Sequence, residues 1–389
     1  MPAAHPAAGK RAKLPAMQQR EVVIVGAGVA GASLACFLAR AGVRDVVVLE
    51  RESAAARHAS GRSAEALVEV EPDPLWQPLV AEGAAFLRRP PPGFAPVPLL
   101  RATGEINLLD ALEREQLAAA LPALARQGIA IEILEPDEVR RRHPFITEPD
   151  IAGAAWAPGS GRIEVAALIA GYLAAAREAG AELWLDAGVT AVEREAGRVT
   201  GVVTSRGPLR CRTLVCAAGA WAGELAEMAG ALPIHMQPLR RTVISFDAPA
   251  GLTVSGWPLV AFESRHIYVA PEGDGLLACP MDEDPTRPCD AQPDPARIDL
   301  ALERLGRLAA PLRPDRIRSA RAGLRTFAPD RRLVLGQDPM RPGFFWLAGQ
   351  GGWGIETSPA VGRMAAELIG NGATQDAELA ARLSPARFA

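Results

Sequence analysis

Residues 21–50 read EVVIVGAGVAGASLACFLARAGVRDVVVLE, and this stretch decides the fold. Val22, Val23, Ile24 and Val25 are β-branched, as a strand buried in a parallel sheet requires. They run into Gly26-Ala27-Gly28-Val29-Ala30-Gly31, then into Ala32–Ala41, rich in helix formers and stopped by Gly42. A second apolar run, Val46–Leu49, ends at Glu50. Gly26 permits a tight turn, Gly28 lets a pyrophosphate approach the backbone, and Gly31 lets the helix lie close to the strand. The helix N-terminus presents unpaired N–H groups and a positive dipole end to phosphate. Glu50 suits a ribose diol and repels a 2′-phosphate, which argues against NADP. A glycine triplet alone is a weak signal; strand, triplet, helix, strand and acid in order are a strong one. The expectation is an α/β chain with a Rossmann-like dinucleotide-binding domain.

At 389 residues the chain exceeds the size at which one core keeps growing, so a second lobe is expected. The net charge of −3 gives no electrostatic case for nucleic acid. The five cysteines (Cys36, Cys211, Cys216, Cys279, Cys289) show no metal-type spacing, and Cys36 falls within the first helix as a small hydrophobe. A reduced, cytoplasmic protein with no metal and no transmembrane segment is expected. Residues 1–19 are Ala/Pro-rich and basic without an apolar core, the composition of a disordered tail, and Met17 could be an alternative start. The tail holds Lys10 and Lys13, the only lysines of the chain.

Further along, Leu75–Leu87 is expected to be helical despite Pro78 and Gly83, and the run Arg88–Gly93 with its three prolines marks a lobe boundary. Helices are expected at Leu112–Arg126, Asp137–Arg142 and Ile163–Glu178. Strands are expected at Glu105–Leu109, Leu183–Leu185, Val189–Glu193, Arg198–Thr204, Leu214–Cys216, Leu239–Phe246, Tyr268–Ala270 and Leu276–Cys279. A second triplet, Gly349-Gln350-Gly351-Gly352-Trp353-Gly354, follows the strand Phe344–Ala348 and precedes a helix, Ser358–Ile369. No further strand and acid follow it, so it is not a second dinucleotide site. It could bring a helix N-terminus to the locus where a reduced flavin becomes negative.

These pieces resemble the D-amino-acid-oxidase superfamily of FAD enzymes, and within it the bacterial D-arginine dehydrogenases. The resemblance covers nearly everything from Val22 onward. It is carried by GRSA at 61–64, QPLRR at 237–241, WPLV at 257–260, AGLRTF at 322–327 and GFFWLAGQGGWGIETS at 343–358. It implies non-covalent FAD and a discontinuous FAD-binding domain (20–88, 155–233 and 326–389). It also implies an α+β substrate domain with a mixed sheet (89–154 and 234–325). The implied FAD contacts are Gly26, Gly28, Val29, Ala30, Gly31, Glu50, Arg51, Ser60, Gly61, Arg62, Ser63, Ala64, Val189, Ala218, Gly219 and Trp221, with Gly349, Gly351, Gly352, Trp353, Gly354 and Ile355 from the terminal turn.

By the same resemblance, Arg241 and Arg325 match two arginines that hold a substrate carboxylate, and Tyr268 a hydroxyl beside them. Guanidinium forks suit that task because they bind carboxylates bidentately. Gly352 matches a carbonyl that receives the substrate amine, and Glu105 an acid that grips the distal guanidinium of D-arginine. The implied reaction is oxidative deamination of a D-amino acid through an imino acid to a 2-oxo acid and ammonia. The loop 64–73 departs from the pattern. Ala66 and Glu71 replace a histidine and a tyrosine, Val68 a threonine, and Glu356 a glutamine near the amine. The extra acids, with Glu65 and Glu69, either pair with a more cationic or longer substrate or face water. Glu356 or water could take the amine proton, and His58 is expected to be structural. Relatives that use oxygen place a lysine beside the flavin; none follows Lys13 here, which favours a quinone or similar acceptor. Oxidation of an N-alkyl or opine-type secondary amine, and a non-catalytic flavoprotein subunit, are the alternatives.

Overall fold

The computed structural model describes residues 18–389. The expected tail lies outside the described residues except for Gln18 and Gln19, which pair with Leu209 and Arg210 at the start of the first strand. That strand, β1 (Gln18–Val25), leads into α1 (Val29–Arg40) and β2 (Val46–Leu49). β1 lies parallel between β2 and the strand Gly207–Cys216. Glu182–Trp184 extends the sheet beyond β2, and Phe344–Ala348 beyond Gly207–Cys216, both in parallel. An antiparallel meander, Val189–Glu195 and Arg198–Thr204, joins through the first half of Gly207–Cys216. β2 and Phe344–Ala348 are buried throughout, as a sheet covered on both faces demands. α1 and the helix Ser358–Asn371 pack on one face, and the helix Ala222–Ala229 covers the other. Cys36 is buried within this packing.

The second large sheet is mixed. Near one edge, Gln237–Phe246 pairs antiparallel with Ile317–Phe327 along its whole length. The sheet continues through Gly275–Cys279, Ile267–Glu272, Leu259–Phe262, Glu105–Leu109 and Gly153–Ala157 to Glu132–Leu134. Leu259–Phe262 and Glu105–Leu109 run parallel. Register then decides which side chains share a face. Leu239 opposes Arg325 and Arg241 opposes Gly323, so with a side-chain period of two Arg241 and Arg325 are diagonal neighbours on one face. Tyr268 opposes both Ala261 and Cys279, and Leu259 opposes Glu105. Glu105, Tyr268, Arg241 and Arg325 thus come to one face from four strands.

Most expected elements are present within two or three residues. The exception in kind is Ile163, expected in a helix, which instead ends a strand (Gly161–Ile163) paired with Ala66–Leu67; the helix begins at Val165. The strands Gly153–Ala157 and Ile317–Phe327 were not among the expected elements. Helix Gln77–Arg88 contains both Pro78 and Gly83. Pro78 falls in the first turn, where its missing N–H costs nothing. Gly83 is there for closeness: a Cβ on it would collide with the carbonyl oxygen of Glu356. Gly83→Ala is therefore expected to destabilise by roughly 1–3 kcal/mol through overpacking. Gly370→Ala, on an exposed helical position with nothing near the added methyl, is expected to stabilise by roughly 0.4–1 kcal/mol. Thermal unfolding of the two variants beside the parent checks the contrast.

Candidate functional site

Two cavities open along the carboxyl edge of the first sheet. The first, of about 630 Å³, is lined by Gly26, Gly28, Glu50, Arg51, Val189, Ala218, Gly219 and Trp221 among others. Gly26 has φ +109°, and a Cβ there would enter the backbone at Ala217; a Cβ on Gly31 would strike the carbonyl of Gly26. Gly31 therefore packs the helix rather than facing the cavity. The α1 N-terminus at Gly28 carries no side-chain cap, though Ser60 Oγ accepts from Val29 N–H at 3.0 Å. Glu50 is nearly buried, and its two oxygens accept from the N–H groups of Ala27 (2.9 Å) and Glu52 (3.0 Å). That pins the carboxylate at the end of β2 with lone pairs left over for a diol. His58, also on this wall, bonds Glu52 through Nε2 at 3.0 Å and packs against Trp221. The cradle, the uncapped helix end and the fixed acid fit the adenosine and pyrophosphate parts of FAD.

The second cavity, of about 770 Å³, adjoins the first through Gly28, Ser60, Arg62 and Gly219, which line both. Val29, Ala30, Ser63, Ala64 and the whole turn Gly349–Glu356 line it, and so do Glu105, Arg241, Tyr268 and Arg325. Gly61 lines neither cavity; its place is packing against the carbonyl of Ala56. Arg241 shares one carboxylate with a second arginine. Its Nη2 donates to Glu283 Oε1 at 3.0 Å, and Arg331 meets the same oxygen at 2.8 Å. Arg325 differs, because its guanidinium makes no salt bridge or side-chain hydrogen bond among the described residues, and Glu263 acts on it only through the field. Burial, and then the nearby Arg241, lower its pKa, so it is a cation held at a cost that an arriving anion relieves.

Opposite the arginines stand buried carboxyl groups. Glu105 is 0% exposed; Ser160 Oγ donates to its Oε2 at 3.0 Å, while its Oε1 has no partner. Burial raises its carboxyl to about 8. Glu356 accepts from Val68 N–H at 2.8 Å and is raised well above the ordinary carboxyl value, by burial first and by Glu71 and Glu105 next. Glu71 corrects an expectation. It does not line the cavity but turns behind the glycine-rich turn, where Trp353 Nε1 donates to it at 2.9 Å; burial raises it to about 7. The other loop acids face neither water nor the cavity centre with a free charge. Glu65 pairs with Arg162, and Glu69 with Arg88 at 2.6 Å. Ala66 and Val68 do line the cavity. Glu263, just beyond the strand Leu259–Phe262, also lines it; a lone acid after an apolar run gave no sequence signal.

The family model described as DAO, FAD dependent oxidoreductase, matches residues 21–368. The mouse mitochondrial pyruvate dehydrogenase phosphatase regulatory subunit is 27% identical over 380 residues, covering 90% of this chain and 41% of that protein. The chain thus spans about two fifths of that relative. Sarcosine oxidase subunit beta of Rhizobium meliloti strain 1021 is 26% identical over 370 residues, covering 93% of this chain and 87% of that one. Among solved structures, L-proline dehydrogenase from P. horikoshii has the same fold, with a TM-score of 0.84 at 21% identity over 96% of this chain and 98% of that one. No helix of the described residues is long and apolar enough to cross a membrane.

The raised carboxyls fix a pH dependence. From the ordinary value of 4.5 up to about 7 for Glu71 and about 8 for Glu105, the folded chain holds protons that the unfolded chain has lost. Stability therefore falls as pH rises through that window and levels off above it. Thermal unfolding from pH 5 to 9 is expected to show this slope, and the Glu71→Gln/Glu105→Gln double variant a shallower one.

Proposed function

The chain belongs to the DAO family of FAD-dependent oxidoreductases, and from that premise we propose that it oxidises an amino acid with a basic side chain, of the D series, to the imino acid, which water converts to a 2-oxo acid and ammonia. The observation that carries this is the pairing of a guanidinium without a salt-bridge partner, Arg325, with a fully buried carboxyl, Glu105, whose Oε1 lacks a donor, on one face of one sheet. The first calls for a carboxylate, the second for a cation or other donor at the far end of the same molecule.

On this reading the substrate carboxylate docks on Arg325, with Arg241 and the Tyr268 hydroxyl beside it. Arg241 shares itself between Glu283 and the incoming anion. The carbonyl of Gly352 receives the amine, and a Cβ on Gly352 would lie 2.9 Å from Arg325 Nη1, so that carbonyl and that guanidinium belong to one small locus. Such two-point fixation orients Cα–H and removes the entropy of finding the geometry. FAD, when bound, supplies a two-electron acceptor for the Cα hydride. The nucleotide-side residues named above, the loop at Ser60–Ala64 and the turn Gly349–Ile355 would hold it. With no lysine after Lys13, no lysine among the described residues lines the cavity to assist oxygen, which supports a quinone or similar acceptor.

Oxidation of a secondary amine is the second reading. Sarcosine oxidase subunit beta is a relative, and the small Ala66 and Val68 on the cavity wall leave space for an N-substituent.

Anaerobic addition of D-arginine to the yellow protein is expected to bleach the visible flavin band, and sarcosine to do so far less well. The reverse order favours the secondary-amine reading; bleaching by neither sinks both. Arg325→Met is expected to lower kcat/KM by about 10²- to 10³-fold, the 3–4 kcal/mol typical of a lost buried charge partner. Glu283→Gln, which frees Arg241, is expected to lower KM in steady-state assays.

A further inference from the structure

Glu356 lines the cavity from the last residues of the glycine-rich turn, four positions beyond the carbonyl of Gly352. One oxygen is fixed by Val68 N–H at 2.8 Å, and Oε1 makes no hydrogen bond among the described residues. Around it lie Glu71 from the loop behind the turn, Glu105 from the sheet, and Arg325 across the cavity. Its main chain is held from behind, since helix Gln77–Arg88 touches it through Gly83 without an intervening side chain. The group is anchored at one oxygen and one carbonyl, and presents the other oxygen to the space the substrate must occupy.

We infer that Glu356 is the catalytic base that takes the proton from the substrate nitrogen. This rests on the amino-acid oxidation proposed above. An amino acid arrives with its nitrogen as ammonium, and oxidation at Cα requires the nitrogen lone pair to form the C=N bond. The N–H bond breaks, its electron pair stays on nitrogen, and the proton forms an O–H bond to Glu356 Oε1. Charge is balanced: ammonium and carboxylate become amine and carboxylic acid. A buried ion pair costs desolvation at both members, whereas the neutral pair does not, so burial drives the transfer. Glu71 and Glu105 push the same way, because negative charge on either disfavours a carboxylate at Glu356. FAD, when bound, would supply the acceptor for the two electrons of the Cα hydride, and the nitrogen lone pair freed by Glu356 closes the C=N bond of the protonated imine.

The test is the limiting rate of anaerobic flavin bleaching against pH, for the parent holoenzyme and Glu356→Gln, with D-arginine and, separately, sarcosine as probes. Glutamine keeps an oxygen for Val68 N–H, so flavin content and the affinity for 5-guanidinopentanoate, which has no amine, are expected to stay unchanged. The rate near neutral pH is expected to fall about 10²- to 10⁴-fold. The deficit should shrink as pH approaches the free amine's own pKa, because the variant depends on amine already deprotonated by water. A merely structural role would lower the rate equally at every pH, and that result overturns the inference, as does an unchanged profile. If the variant loses flavin, Glu356→Asn replaces it, and a pH profile identical to the parent's with a slower rate at all pH overturns it too. If neither probe bleaches the parent, the oxidation reading fails first and this role falls with it; if the parent bleaches and the variant's profile is the parent's, only the role of Glu356 fails.

Discussion

The close approach of Gly31 to the carbonyl of Gly26 is the contact on which the site depends. A side chain at Gly31 would push α1 off β1, and one at Gly26 would enter the backbone at Ala217. With α1 held there, its N-terminus points into the nucleotide cleft, and its outer face receives Ser358–Asn371, where a Cβ on Gly362 would meet Ser33 and Phe37. That helix fixes the end of the turn Gly349–Glu356. Gly83 in turn lets a third helix close on the same turn. Backbone-to-backbone contacts of this kind leave no soft side chain to yield, so positions are passed from β1 to the cavity wall with little slack.

Charge in the cavity follows a second logic. Arginines and acids are numerous, yet most are paired within the chain: Arg241 and Arg331 share Glu283, Arg162 meets Glu65, and Arg88 meets Glu69. Without a salt-bridge partner stand the Arg325 guanidinium at one end and, at the other, carboxyl groups whose ionisation burial resists. Such an empty site is under electrostatic tension, and a zwitterion of the right length relieves it at both ends.

The βαβ unit was legible because all its determinants are local: β-branched residues, spaced glycines and an acid within thirty positions. Arg241, Arg325, Tyr268 and Glu105 were legible only as motif matches, and their meeting on one face required the register of strands far apart in the chain. Gly153–Ala157 escaped detection because Ala-Ala-Trp-Ala carries little strand preference; its pairing with Glu105–Leu109 and Glu132–Leu134 makes it a strand. Glu71 was misplaced for a related reason. Alternation along a loop does not say which side faces a cavity, and the indole N–H of Trp353, brought by an element 282 residues away, drew it behind the turn.

The pairings of the loop acids also shape how the pocket can drift. Glu65 and Glu69 are tied to Arg162 and Arg88, so changing one member strands a charge beside a partly buried partner, and a tolerated change must come in two steps at distant codons. Ala66 and Val68 between them carry no such debt, since each contributes only apolar wall. A lineage adapting to a differently shaped substrate would accumulate single replacements at 66 and 68 while 65 and 69 stood still. The loop thus confines variation in shape to two codons and leaves its charge pattern to change only by paired substitution.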